Sequence, residues 1–145
     1  METIGSLLDK LSICKIKIEK LKETNNPMLA SVELQRDNLV SEINELLGKV
    51  VAGIVPAEEP KHKFYAHENA SGNVSAGFAE ATLKLFETNY TLWNLEDKRR
   101  DKNLQDAEVR VICDDIAKYN RLRNDTMDEI NRIIAKKINE TTEIK

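Results

Sequence analysis

The apolar residues of the first stretch fall at Ile4, Leu7, Leu11, Cys14, Ile18 and Leu21, a strict alternation of three and four. That rhythm is the seam of an α-helix packed on other helices, and a strand cannot satisfy it. The spacing predicts a helix over 4–22. Leu8, Ile13 and Ile16 widen the stripe, which suits a globular bundle better than a two-stranded coil. Lys10, Lys15, Lys17, Lys20 and Lys22 mostly take the other sides and read as a solvated face.

The same rhythm returns three times. Thr24-Asn25-Asn26-Pro27 reads as a stop and restart, with Asn26 as cap and Pro27 at the first helical position. A second helix is expected from 27 to 51, with the seam Val32, Arg36, Leu39, Ile43, Leu46 and Val50. A third is expected over 75–101, with Ala79, Leu83, Phe86, Tyr90, Trp93, Asp97 and Arg100 on its line. A fourth is expected over 107–139, with Val109, Ile112, Ile116, Tyr119, Arg123, Thr126, Ile130 and Ile133, extended by Met127, Ile134 and Ile138. The tail 140–145 has no helical pattern and is expected to be extended. Short connections make sequential helices antiparallel neighbours. The expected fold is all-α: an antiparallel four-helix bundle of two similar hairpins, 4–52 and 75–139, in one domain spanning 1–145.

Residues 53–74 form a long irregular middle loop. Such loops are functional or mobile. Phe64 and Tyr65 are expected to pin it to the bundle. His62, His67 and Glu68 lack the convergent spacing of a metal site, so no metal is assigned.

Composition narrows the function classes. The net charge of −3 conceals a near balance of 22 basic and 25 acidic residues, which argues against a duplex nucleic-acid binder. No apolar run approaches the ~20 residues of a membrane span. The start Met1-Glu2-Thr3-Ile4 has neither a basic n-region nor an apolar h-region. Cys14 and Cys113 both fall in helical patterns and read as small buried hydrophobes in a reducing compartment. A cytoplasmic location is expected.

The two hairpins look like copies. Residues 36–47 align without gaps on 123–134, matching Arg36 with Arg123, Glu42 with Glu129, Ile43 with Ile130 and Asn44 with Asn131. Upstream, Ile16-Lys17-Ile18-Glu19 aligns on Trp93-Asn94-Leu95-Glu96. Each copy therefore carries a Glu on its first helix and an Arg on the apolar seam of its second. An arginine there keeps its charge and needs partners. The expected structural pairs are Glu19 with Arg36, and Glu96 or Asp97 with Arg123. The second copy has more: Trp93, Asp97, Arg99, Arg100 and Asn120, with Asn124 beside Arg123. An aromatic plate beside guanidiniums and amides suits a base or sugar plus phosphate. Trp93, Glu96, Asp97, Arg100, Asn120, Arg123 and Asn124 are the candidate ligand-binding residues.

Enzyme chemistry is poorly supported. Helical nucleotide pyrophosphohydrolases need Glu-x-x-Glu and a facing Glu-x-x-Asp; Glu42 and Glu45 fit the first, and nothing fits the second. Di-iron bundles need Glu-x-x-His on two helices, and neither His falls in a helical stretch. There is no phosphate loop, no Ser-His-Asp set that spacing supports and no zinc pattern, so no cofactor and no catalytic residue is assigned.

Residues 4–13 (Ile-Gly-Ser-Leu-Leu-Asp-Lys-Leu-Ser-Ile) with Lys15-Ile16-Lys17-Ile18 resemble the opening of a small uncharacterised all-helical family of bacteria and phages. So do Leu92-Trp93-Asn94-Leu95-Glu96-Asp97, Asn120 with Arg123-Asn124, and the closing Glu143-Ile144-Lys145. Ile16-Lys17-Ile18-Glu19-Lys20 departs from the commonest pattern, which places a Trp and a Glu-rich ending there. Members of that family tend to lie near genes for surface-sugar assembly or in phage genomes. The resemblance implies a helical fold and a cytoplasmic location, in a bacterial cell or a phage-infected host, and no particular activity. Three functional readings follow. The first is a non-enzymatic interaction or scaffold protein acting as a homo-oligomer. The second is a binding module for a nucleotide-like or sugar-phosphate ligand, which in a phage would act as a sponge for a host signalling nucleotide. The third is a metal-dependent phosphohydrolase using Glu42, Glu45, Glu96 and Asp97.

Overall fold

The structure, a computed structural model, describes residues 1–59 and 77–144. The described residues form four α-helices and no strand: α1 (Ile4–Glu23), α2 (Leu29–Val51), α3 (Phe78–Arg99) and α4 (Asp106–Ile144). They assemble as a four-helix bundle in which α1 packs against all three others and α3 packs extensively along α4.

Local signals fix the ends. Thr3 and Ser6 form a reciprocal capping box, Ser6 N donating to Thr3 Oγ1 at 3.1 Å and Thr3 N to Ser6 Oγ at 2.8 Å. α1 ends in a Schellman motif: Asn26 N donates to Leu21 O at 3.1 Å, and Asn25 takes the left-handed conformation (φ 52°). α2 ends the same way at Gly53 (φ 77°), with Ile54 N donating to Lys49 O at 2.9 Å. Pro27, the start expected for α2, lies in the turn two residues ahead of the helix, because Asn26 Oδ1 accepts from Met28 N at 2.9 Å and closes a turn first.

The seam expected for α1 is buried or half-buried throughout. A second line on α1 is buried too: Gly5, Asp9, Ser12 and Ile16, spaced four, three and four. α1 is thus sealed on two sides, as a central helix must be. The core has two parts. One joins Ile4 and Leu8 to Val50, Ala81, Leu85, Ile130 and Ile134; the other joins Leu7, Cys14 and Ile18 to Val32 and Leu39. The described part of the middle loop is held by Val55 and Ala57 against the first. His62, Phe64, Tyr65, His67 and Glu68 lie outside the described residues.

Three expectations are corrected. The buried line of α3 is Ala81, Leu85, Thr88, Asn89 and Leu92, whereas Leu83 is 61% exposed and Tyr90 40%. Two of the buried residues are polar, so the true face reads as polar in sequence; Thr88 Oγ1 satisfies itself on Lys84 O at 2.7 Å. The tail is helical through Ile144, since no Gly or Pro follows Gly77 to stop α4. Cys113 is exposed, one position off the Ile112 line, whereas Cys14 is buried as expected.

Among the described residues no helix is long and apolar enough to cross a membrane.

Candidate functional site

The site is built outward from Asp9. Its carboxylate is almost sealed, with 7% of the side chain exposed, so it needs partners that hold its charge. Arg123 supplies a fork: Nε donates to Oδ1 at 2.7 Å and Nη2 to Oδ2 at 2.5 Å. Asn89 Nδ2 donates to the same Oδ1 at 2.8 Å and to Ser12 Oγ at 3.0 Å. One buried carboxylate thereby ties α1 to α3 and α4. The hydrogen bond to Asp9 raises the Arg123 pKa above its already high ordinary value, against the opposing effect of burial.

The partner expected for Arg123 is corrected by this geometry. Glu96 instead accepts from Arg99 Nη2 at 3.1 Å, and Asp97 lies 3.6 Å from Arg100 Nη1, both pairs within α3. Those carboxylates sit about two turns along α3 from Asn89, which is the residue that meets Asp9.

A second tie lies at the start of α1. Gly5 N, one of the orphan donors of a helix N-terminus, donates to Asn131 Oδ1 at 2.8 Å, and Asn131 Nδ2 donates to Thr3 Oγ1 at 3.0 Å. α4 approaches so closely here that a Cβ on Gly5 would lie 2.5 Å from Met127 O. Only glycine fits.

Beside the Asp9–Arg123 pair lies a cavity of about 340 Å³ between α1, α3 and α4. Ile13, Leu92 and Ile116 give it apolar walls, and Asn89 also borders it. The rest of the lining is Trp93, Glu96, Asp97, Arg100, Asn120 and Arg123. Six of the seven residues picked from the sequence therefore share one cavity. Asn124 does not; it lines a separate, larger cavity of about 740 Å³ near the start of α1, with Thr3, Ser6, Met127, Asp128 and Asn131.

The first copy builds no buried carboxylate–arginine pair. Arg36 is half-exposed and bonds its neighbour Asp37, Nε to Oδ1 at 3.0 Å. The expected Glu19–Arg36 pair is not formed; Glu19 is exposed, and the two border a cavity of about 300 Å³ with Lys15, Ile18 and Lys22. The carboxylates of the hydrolase reading are not gathered either. Glu42 and Glu45 are exposed on α2, and Glu45 pairs with Lys49 at 3.5 Å. Among the described residues no three His, Cys, Asp or Glu side chains converge as a metal site would require.

One residue of the site, Asp9, was missed by the seam reading. The signal for Asp9 was the four–three–four line Gly5, Asp9, Ser12, Ile16, hidden because small and polar residues fill it.

No curated protein and no solved structure matches the chain. Residues 79–145, which run from the start of α3 to the end of the chain and include every α3 and α4 residue of the cavity, match the model of a family described as protein of unknown function (DUF4254).

Proposed function

We propose that the chain is a binding module for a small ring-bearing ligand of the nucleotide-like or sugar-phosphate class, held in the Trp93–Arg123 cavity. The observation that carries this reading is the convergence of Trp93, Glu96, Asp97, Arg100, Asn120 and Arg123 on one cavity with apolar walls. That is the usual make-up of a small-molecule site: apolar walls and a few placed polar groups. Trp93 offers a ring face, and Asn120 offers both a donor and an acceptor. Arg123 spends two of its N–H groups on Asp9, which fixes the fork and leaves the others for a ligand. A thermal-shift screen of nucleotides and nucleotide sugars tests it. A ligand at ~100 times its Kd should stabilise the fold by ~2.7 kcal/mol. The rise in Tm should vanish in Trp93→Ala. No shift across the panel, or an undiminished shift in that variant, would sink the reading.

A second reading, a homo-oligomeric scaffold, is favoured by a different observation. Val40, Leu47 and Val51 are exposed on α2 at spacings of seven and four. They trace a second seam beside the buried Leu39–Val50 line, with Asn44 at the missing position. Two copies could bury this face against each other about a two-fold axis. Light scattering should then show a dimer that Leu47→Glu dissociates. A monomer at micromolar concentration would remove this reading.

A further inference from the structure

The charges around the cavity specify which part of a ligand it recognises. Each cation lining it already has a carboxylate at ion-pair distance. Arg123 is forked onto Asp9, and Arg100 Nη1 lies 3.6 Å from Asp97 Oδ1. The remaining lining carboxylate, Glu96, is matched by Arg99 from outside the cavity. No positive charge is left over for a phosphate. A phosphate entering here must break an existing pair and face Glu96 and Asp97, and like charges brought together in an interface are strongly unfavourable.

A neutral ring with hydroxyl groups meets the opposite situation. Ionised Glu96 and Asp97 retain acceptor sites for O–H donors, and Arg123 retains N–H donors for hydroxyl oxygens. The Trp93 face covers the apolar side of such a ring, and Ile13, Leu92 and Ile116 line the rest. About 340 Å³ is close to the lower end of ligand-pocket sizes, room for one ring and its substituents.

We infer that the cavity recognises an uncharged, hydroxylated ring, a glycosyl or ribosyl unit, through Trp93, Glu96, Asp97 and the Asp9-held Arg123, and that a phosphate on the ligand adds nothing to binding. This rests on the cavity being a ligand site. Free sugars and nucleosides share the chemistry, so both belong in the test.

The test is isothermal titration calorimetry on the full chain with matched pairs: hexoses and their 1-phosphates, nucleosides and their mono- and diphosphates, each at low and high salt. Whichever series binds identifies the source of the ring. The uncharged member of a pair should bind at least as tightly as its phosphate, and added salt should change its affinity less than about twofold, since no ion pair forms. Asp97→Asn, which releases Arg100, should shift the preference toward the phosphate by about two- to fivefold, the worth of one exposed charge pair. Tighter, salt-sensitive binding of the phosphates by the unmodified chain would overturn this inference and leave the ligand site standing. No heat from any member of either series would remove the ligand-site reading itself, and this inference with it.

Discussion

Arg36 and Arg123 occupy matching places in the two hairpins, yet they live in different surroundings. Arg36 sits half-exposed on α2 and bonds the residue next to it. Arg123 reaches across the bundle to a sealed carboxylate on α1. The same contrast holds down the aligned segments. Glu42 and Asn44 are exposed, whereas Glu129 and Asn131 are buried. The cause is position, not local sequence. α1 touches every other helix, and its Gly5–Asp9–Ser12–Ile16 side meets the second hairpin. α2 covers the other side of α1 and leaves its own outer face to solvent. A repeat read along the chain therefore becomes an asymmetric pair in space, and the seam arginine is buried only where a third helix closes over it.

The largest test of that contrast removes the shared carboxylate. Asp9→Ala strands Arg123 in a half-buried site. The cost should be about 2–4 kcal/mol, slightly below the ~3–5 of a fully sealed pair because Arg123 keeps some contact with water. Arg36→Ala should cost no more than ~0.5 kcal/mol. Urea denaturation of the two variants measures both, and equal losses would erase the distinction.

Glycine substitutions sharpen it next. Gly5→Ala places a methyl against the Met127 carbonyl, where helix backbone cannot yield cheaply, and should cost about 1–3 kcal/mol. Gly48 on α2 has open space around it, so Gly48→Ala should stabilise by ~0.5–1 kcal/mol through helix propensity alone. Opposite signs in the Tm shifts are the expected outcome.

A smaller effect separates the matched asparagines. Asn131→Ala removes the acceptor of Gly5 N and the donor to Thr3, leaving a buried N–H unpaired, at a cost of about 1–2 kcal/mol. Asn44→Ala on the exposed face should fall within ±0.5 kcal/mol, by the same denaturation measurement.

How far these features could be read from the chain depended on what the buried residues were. The α1 and α4 seams were legible because apolar residues hold nearly every place on them. The α3 face was not. Its buried line passes through Thr88 and Asn89, while Leu83 and Tyr90, which keep the helical rhythm, face out. Periodicity finds a face by contrast, and a face that satisfies its polar groups internally loses that contrast. The cavity residues were found for a related reason. Trp93, Asp97, Arg100 and Asn120 were in excess over the plainer copy, so the repeat acted as an internal reference. Asp9 lay outside that comparison, because its partner is in the other hairpin. The end of α4 was misplaced because a polar tail without apolar periodicity is still helical when no breaker interrupts it.

The measurement that bears most directly on the account is the emission of Trp93 during titration with the sugar and nucleoside series. It is the only tryptophan of the chain and it lines the cavity, so its signal reports that place and no other. The account predicts a saturable change in the unmodified chain and in Arg36→Met, lost in Arg123→Met while circular dichroism shows both variants folded. A flat response throughout, or a response that survives Arg123→Met as fully as Arg36→Met, would contradict it.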